Sequence, residues 1–157
     1  MVRMRISKII AIVVLGLSLS TPVMASGKIG QELVASAKKW SKKITPAELK
    51  KKIDNEDDIY MLDIREPYMI PEGSIEGMEN VAIPRGLLEF EIEDKIPNKK
   101  AIIVIYCRSG KGAAMSAQTL KDKMKYKNAY YLVGGLDGWL EAGYTVFSHL
   151  GEMQLSK

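Results

Sequence analysis

The chain has 157 residues, of which 46% are hydrophobic and 27% charged, and it contains a single cysteine. This length suffices for one domain that buries its own core, and a single cysteine excludes an internal disulfide. The formal net charge is +4, but three of the 23 basic residues and none of the 19 acidic residues lie in the first 25 positions. The rest of the chain carries 20 basic against 19 acidic residues, which gives little reason to expect nucleic-acid binding.

The first 25 residues have the pattern of an export signal. Basic side chains come first, at Arg3, Arg5 and Lys8, and an apolar run follows from Ile9 to Leu19. Ala25 supplies the small residue that signal peptidase requires. The pattern predicts a signal peptide over residues 1–25, cleaved after Ala25, and an exported protein, periplasmic for example, without a stable membrane anchor. An uncleaved anchor is the alternative, although the apolar run is shorter than the roughly 20 residues that span a bilayer.

Residues 26–44 are predicted to form an amphipathic helix. Apolar residues recur at steps of 4, 4, 3 and 4, at Ile29, Leu33, Ala37, Trp40 and Ile44. Such spacing places them in one stripe of a helix, with lysines mostly on the wet side. The stripe would dock on the domain or pair with a second copy in a homodimer, and the spacing does not choose between these two.

The rest of the chain alternates strands with helices. Strands are predicted at 59–64, 102–105 and 130–133, and helices from Thr45, from Leu87, over 113–125 and from Gly134 to Gly143. Residues 67–84 are rich in glycine and proline and are predicted to be mostly loop. This alternation predicts an α/β domain over residues 45–147, an open parallel sheet with helices on both faces, and a tail at 148–157.

The stretch from Tyr106 to Gly112 surrounds the only cysteine, Cys107. It follows a run of aliphatic residues and precedes a helical pattern, so a strand, a tight loop and a helix N-terminus are expected. Backbone N–H groups in such a loop bind anions, glycines permit the close approach, and nearby cations favour the thiolate nucleophile. Cys107 is therefore predicted to be catalytic, with a buried structural cysteine as the alternative. The predicted substrate-binding residues of this loop are Arg108, Ser109, Gly110, Lys111 and Gly112.

Polar residues after the first predicted strand should reach the same edge of the sheet as Cys107, because ligands bind at the carboxyl ends of parallel strands. Arg65 is predicted to bind the substrate and Asp63 to orient neighbouring groups, with a surface ion pair as the alternative. Arg85, before a short helix, is a further candidate that would otherwise face water. The single histidine, His149, lies outside these segments and is expected at the surface.

Three motifs together resemble the rhodanese homology domain, the fold of single-domain sulfurtransferases. The resemblance covers about residues 44–146. The motifs are Leu62-Asp63-Ile64-Arg65-Glu66-Pro67 followed by Gly73-Ser74-Ile75-Glu76-Gly77, then Val104-Ile105-Tyr106-Cys107-Arg108-Ser109-Gly110, and finally Val133-Gly134-Gly135-Leu136 with Trp139.

The resemblance implies that Cys107 carries sulfane sulfur as a persulfide. The implied donor is a small anion, thiosulfate or polysulfide, the acceptor is cyanide or a thiol, and no metal or organic cofactor is required. The segment from Ile83 to Phe90 resembles one in exported polysulfide sulfurtransferases. This resemblance strengthens the prediction that Arg85 binds the substrate. A catalytically idle binding module or a sulfur-delivery scaffold is the alternative function.

Loop length separates this chain from the related cysteine phosphatases. Those enzymes need a cysteine followed by five residues and an arginine that clamps phosphate, whereas position 113 here is alanine. The chain also departs from the sulfurtransferase pattern. Ser74 stands where histidine is usual, Met69 where an acidic residue is frequent, and Gly112 where many relatives end the loop with arginine, serine or threonine. The last departure leaves the donor preference open.

Overall fold

The computed structural model of this protein describes residues 27–154, so the predicted signal peptide lies outside the described residues. Five α-helices, two short 3₁₀ helices and seven strands are formed within that range. The α-helices are α1 (Lys28–Trp40), α2 (Pro46–Asp54), α3 (Leu88–Lys95), α4 (Lys111–Asp122) and α5 (Gly135–Glu141). The strands are β1 (Lys42–Ile44), β2 (Ile59–Asp63), β3 (Glu79–Ala82), β4 (Ile102–Tyr106), β5 (Ala129–Leu132), β6 (Val146–Ser148) and β7 (Gly151–Met153). No helix in residues 27–154 is long and apolar enough to cross a membrane.

The first five strands form one parallel sheet in the order β1-β5-β4-β2-β3. Its central strand, β4, is nearly all aliphatic and is buried at all but its first residue, as expected for a parallel strand covered on both sides. The register sets Asp63 at the end of β2 beside Tyr106 at the end of β4. The predicted fold class is therefore confirmed, and polar residues that follow β2 and β4 meet at one edge.

Alternate residues of β4 enter two separate cores. Ile103 and Ile105 pack with Ala37 of α1 and with residues of α3 and α4, while Val104 packs with Leu49 of α2 and residues of α5. This alternation follows from the two-residue period of a strand. Helices therefore cover both faces of the sheet and hold the carboxyl end of β4 firmly in place.

The helix predicted for residues 26–44 is formed, but its C-terminal bound was wrong. The helix ends at Trp40, and residues 42–44 form strand β1 beside β5. Ala37 is the only fully buried residue of the helix, whereas Ile29, Leu33 and Trp40 are 74%, 52% and 59% exposed. The reason is that α1 packs closely on the small residues of α4, where an alanine fits and bulky side chains do not. Pairing with a second copy stays a prediction.

The segment after β2 contains more structure than its glycines and prolines suggested. A 3₁₀ helix runs over Pro67–Glu72, and β3 follows it. At the other end of the chain β6 and β7 form an antiparallel hairpin whose Phe147 exchanges two backbone hydrogen bonds with Ser74. The predicted boundary between domain and tail falls inside this hairpin. His149 lies at its turn and is exposed.

Candidate active site

Cys107 lies in the Cys107 loop, residues 107–112, between the end of β4 and the first turn of α4. Its side chain is partly exposed, although β4 before it is buried. Within residues 27–154, the N–H groups of Arg108, Ser109 and Gly110 donate to no backbone carbonyl. The first N–H groups of α4 also lack partners inside the helix. The loop thus offers a set of unpaired donors beside the sulfur, which is how backbone binds anions.

Close packing with the turn into α5 holds the Cys107 loop in this shape. The N–H of Leu136 donates to the carbonyl of Cys107 at 2.9 Å, and the N–H of Asp137 donates to that of Arg108 at 3.0 Å. Gly135 makes the approach possible, since a Cβ there would lie 2.2 Å from the Cys107 carbonyl oxygen and 2.6 Å from that of Arg108. The third sequence motif therefore serves to clamp the loop that carries the cysteine.

Arg65 is a buried structural residue rather than an exposed ligand-binding one. Its side chain is 1% exposed and pairs with Asp63, with 2.6 Å between Nη2 and Oδ2. It also donates to the carbonyls of Met69 at 3.2 Å and Gly73 at 2.8 Å. Burial lowers the pKa of the guanidinium, but the hydrogen bonds and charge of Asp63 outweigh burial and raise the pKa above its ordinary value. The predicted substrate-binding role of Arg65 therefore has no support in its contacts.

Tyr106 completes this buried group at the end of β4. The Arg65 guanidinium lies over its ring, 5.6 Å from the centroid. Burial, followed by the negative charge of Asp63, raises the pKa of the Tyr106 hydroxyl above its ordinary value. Tyr106 itself packs in the core with Leu132 and Leu136.

Of the other candidate cations, Arg85 is half-buried, whereas Arg108 and Lys111 are exposed, and the three differ in their partners. Arg85 pairs with Glu89 one turn ahead, with 2.9 Å from Nη1 to Oε1, and its N–H donates to the Ile64 carbonyl at the sheet edge. Arg108 pairs with Glu72 and Asp137. Ser109 and Lys111 are exposed, and within residues 27–154 Lys111 forms no ion pair. The loop residues are brought together around the sulfur, and Arg85 reaches the same edge through its backbone.

The acidic partners of these arginines were missed in the sequence. The pair Arg85 and Glu89 follows the i,i+4 rule of helices and could have been found from spacing alone. Glu72 and Asp137 lie far from Arg108 along the chain, and no local pattern links them to it. Within residues 27–154 no group of three or more His, Cys, Asp or Glu side chains is placed to hold a metal ion.

Gly112 leaves open space beside the sulfur. It is the second residue of α4, and a Cβ there would lie 3.6 Å from the Cys107 Sγ and 3.6 Å from Cδ1 of Ile64, at ordinary contact distance. The glycine is therefore not required by the backbone. Its effect is to leave one side of the sulfur uncovered.

We expect Gly112→Ala to stabilise the protein and to slow reactions at the cysteine. Alanine is favoured over glycine within a helix by about 0.5 to 1 kcal/mol. The added methyl group would also cover part of Sγ, so alkylation of Cys107 by iodoacetamide should slow by roughly twofold to fivefold, a cost of up to about 1 kcal/mol in the barrier. Urea unfolding and the alkylation rate measure the two effects. An unchanged alkylation rate would mean that reagents approach the sulfur from another side.

The fold and the loop define a class of protein, a parallel α/β domain that presents one cysteine in an anion-binding loop at the carboxyl edge of its sheet. The family model of the rhodanese-like domain matches residues 45–142. This chain therefore belongs to the rhodanese-like domain family, and membership supports a role in sulfur transfer of a general kind.

The chain is similar to one named sulfur carrier protein and to several solved structures. YrkF of Bacillus subtilis, named as a sulfur carrier protein, is 32% identical over 90 residues, which are 57% of this chain but only 46% of YrkF. A Rhodopseudomonas palustris protein of unknown function, with a suggested tyrosine phosphatase activity, is 27% identical with a TM-score of 0.65, over 79% of this chain and 96% of that protein. The Wolinella succinogenes polysulfide-sulfur transferase homodimer shares the fold at 24% identity and a TM-score of 0.63, over 80% of this chain and 88% of that one.

Proposed function

We propose that this protein is an exported sulfurtransferase that moves sulfane sulfur from thiosulfate or polysulfide to a cyanide or thiol acceptor through a persulfide on Cys107. The observation that carries the proposal is the position of the only cysteine beside unpaired N–H groups of a preorganised loop. Export rests on the sequence pattern of residues 1–25.

The reaction consists of two displacements at sulfur. In the first, the Cys107 thiolate attacks the outer sulfur of thiosulfate, an S–S bond forms, and sulfite leaves with the electron pair of the broken bond. With a polysulfide, the leaving group is the polysulfide shortened by one sulfur. In the second, a cyanide or thiolate acceptor attacks the outer sulfur of the persulfide, and Cys107 leaves as thiolate. The N–H groups of the loop stabilise the negative charge on the bound sulfur in both steps.

Intact mass measurement tests the proposal directly. After incubation with thiosulfate or polysulfide, the wild type should gain about 32 Da, the mass of one sulfur atom, and Cys107→Ala should gain nothing because persulfidation requires the thiolate. Addition of cyanide should remove the added mass and release thiocyanate. An unchanged wild-type mass with both donors would reject sulfur transfer by this chain.

A non-catalytic sulfur-delivery or binding module is the second candidate, and the exposed apolar side chains of α1 favour it. Ile29, Leu33 and Trp40 lie on one side of that helix and are uncovered in the described chain. The double variant Leu33→Ser with Trp40→Ser changes no residue of β1 and removes most of this surface. A binding module should lose its partner in this variant, whereas a self-sufficient enzyme should keep its turnover and lose it only in Cys107→Ser.

Phosphatase chemistry has little support at this site. The activity suggested for the Rhodopseudomonas palustris relative would need a guanidinium at the end of the loop to clamp phosphate. Here the sixth position after the cysteine is Ala113, a residue of the first turn of α4 that is fully buried in the core. We expect no hydrolysis of a phosphate monoester by the wild type.

A further inference from the structure

We propose that Glu72 and Asp137 are specificity-determining residues of the Cys107 site. They hold the Arg108 guanidinium at the rim of the loop and offset its charge, so that doubly charged small donors react more slowly than donors of lower charge, such as an organic persulfide. This inference rests on the proposed sulfur transfer for its biological meaning, but its electrostatic part can be measured without any sulfur donor.

Two carboxylates share the guanidinium of Arg108. Nη1 donates to Oε2 of Glu72 at 2.8 Å, and Nε lies 3.5 Å from Oδ1 of Asp137. One positive charge therefore faces two negative charges directly beside the cysteine. The sequence suggests a positive rim, whereas the two carboxylates offset the charge of Arg108 and leave Lys111 as the loop cation without an ion pair within residues 27–154.

The segment that carries Glu72 is held in place from two sides. On the inner side Arg65 donates to the carbonyls of Met69 and Gly73. On the outer side the backbone of Ser74 pairs with Phe147 of the C-terminal hairpin. These hydrogen bonds fix the backbone on both sides of Glu72. Its carboxylate can therefore pair with Arg108 without first ordering a loop.

Asp137 is positioned by the same turn that clamps the Cys107 loop. Its N–H donates to the carbonyl of Arg108 at 3.0 Å, and its carboxylate lies against the side chain of that residue. The backbone and the side chain of Asp137 thus both contact Arg108. A substitution by asparagine keeps the backbone bond and changes only the charge.

These ion pairs should affect the rates at which charged reagents reach Cys107 more than they affect the stability of the fold. The side chains of Arg108, Glu72 and Asp137 are 56%, 47% and 45% exposed, and exposed pairs contribute little to folding. A unit charge about 8 Å away in water changes the rate of a singly charged reagent by roughly twofold and that of a doubly charged reagent by roughly fivefold. High salt removes such an effect.

Alkylation of the single cysteine measures the rim charge. Iodoacetate is negatively charged and iodoacetamide is neutral, and the ratio of their rates cancels any change in the thiolate fraction of Cys107, because both reagents need the thiolate. We expect Glu72→Gln and Asp137→Asn each to raise the iodoacetate to iodoacetamide ratio roughly twofold at about 0.01 M salt and to leave it unchanged at about 1 M. Glu76→Gln is the control, since this exposed carboxylate in a neighbouring segment forms no ion pair within residues 27–154.

Sulfur donors then test the specificity. Persulfide formation from thiosulfate should accelerate roughly fivefold in Glu72→Gln, while formation from an organic persulfide without net charge should change by less than about twofold. An unchanged alkylation ratio in both variants would overturn the inference, and so would an equal loss of rate with both donors, which would assign the pairs a structural role only. A raised alkylation ratio without any persulfide in the wild type would retain the electrostatic inference and reject the proposed function.

Discussion

The substitution Gly135→Ala should destabilise the domain and slow reactions at Cys107. The added Cβ would lie 2.2 Å from the carbonyl oxygen of Cys107 and 2.6 Å from the N atom of Gly110, and the backbone of Gly135 has a φ of +60°. Strain at such a φ costs about 1 to 2 kcal/mol, and displacement of packed backbone adds about 1 to 3 kcal/mol. We expect Gly135→Ala to lose about 2 to 5 kcal/mol of the free energy of unfolding, a large share of a typical domain stability.

The same change should slow persulfide formation on the order of 100-fold, because small displacements of reacting groups are costly. Urea unfolding and the rate of mass gain with thiosulfate measure the two effects. Gly86→Ala is the matched control, since nothing lies within 4 Å of a Cβ at that position. If Gly135→Ala had the stability and rate of the wild type, the turn into α5 would not be what holds the cysteine loop.

Replacement of Arg65 by methionine should cause the second large loss of stability. The guanidinium neutralises the buried carboxylate of Asp63 and donates to the carbonyl of Gly73. Removing one partner of a buried pair leaves an uncompensated charge and costs about 3 to 5 kcal/mol. The midpoint of urea unfolding should fall accordingly, and the segment that carries Glu72 should become more accessible to proteolysis.

Two further variants make this result specific. Arg85→Met removes an arginine whose pair with Glu89 is only half-buried and still reaches water, so stability should change by less than about 1 kcal/mol. A slower reaction with anionic donors in that variant would support the predicted substrate-binding role of Arg85.

Adding Asp63→Asn to Arg65→Met should recover part of the lost stability, because the unpaired buried charge is removed. If Arg65→Met lowered the free energy of unfolding by less than about 1 kcal/mol, the buried pair of Asp63 and Arg65 would not be what stabilises the segment that carries Glu72.

The buried strands and the helices between them were predictable because their patterns are local. Strands β2, β4 and β5 appear in the sequence as short runs of apolar residues, and their alternation with helices is enough to predict a parallel sheet. The missed strands of the sheet differ from these in exposure rather than in length. β1 and β3 lie at the two edges of the sheet, where backbone pairing with one neighbour suffices, and most of their side chains are exposed. No apolar run marks such a strand.

The position of the cysteine was predictable for the same reason, whereas the state of the surrounding arginines was not. Four cations near one sheet edge suggested a pocket for an anion. In the structure the guanidinium of Arg65 donates its hydrogen bonds to Asp63 and to backbone carbonyls. The guanidinium of Arg108 pairs with two carboxylates. A basic residue attracts anions only if no carboxylate of the protein reaches it first, and that depends on the folded chain.

By itself the sequence determined a parallel α/β domain with one cysteine between a buried strand and a helix N-terminus, because apolar periodicity and glycine placement are read from neighbouring residues. The tertiary structure alone decided that the turn at Gly135 clamps the Cys107 loop, that Arg65 supports a segment instead of facing a ligand, and that Arg108 is offset by Glu72 and Asp137. Each of these is a contact between segments far apart in the chain, and its energy depends on distances of a few tenths of an ångström that no local pattern specifies.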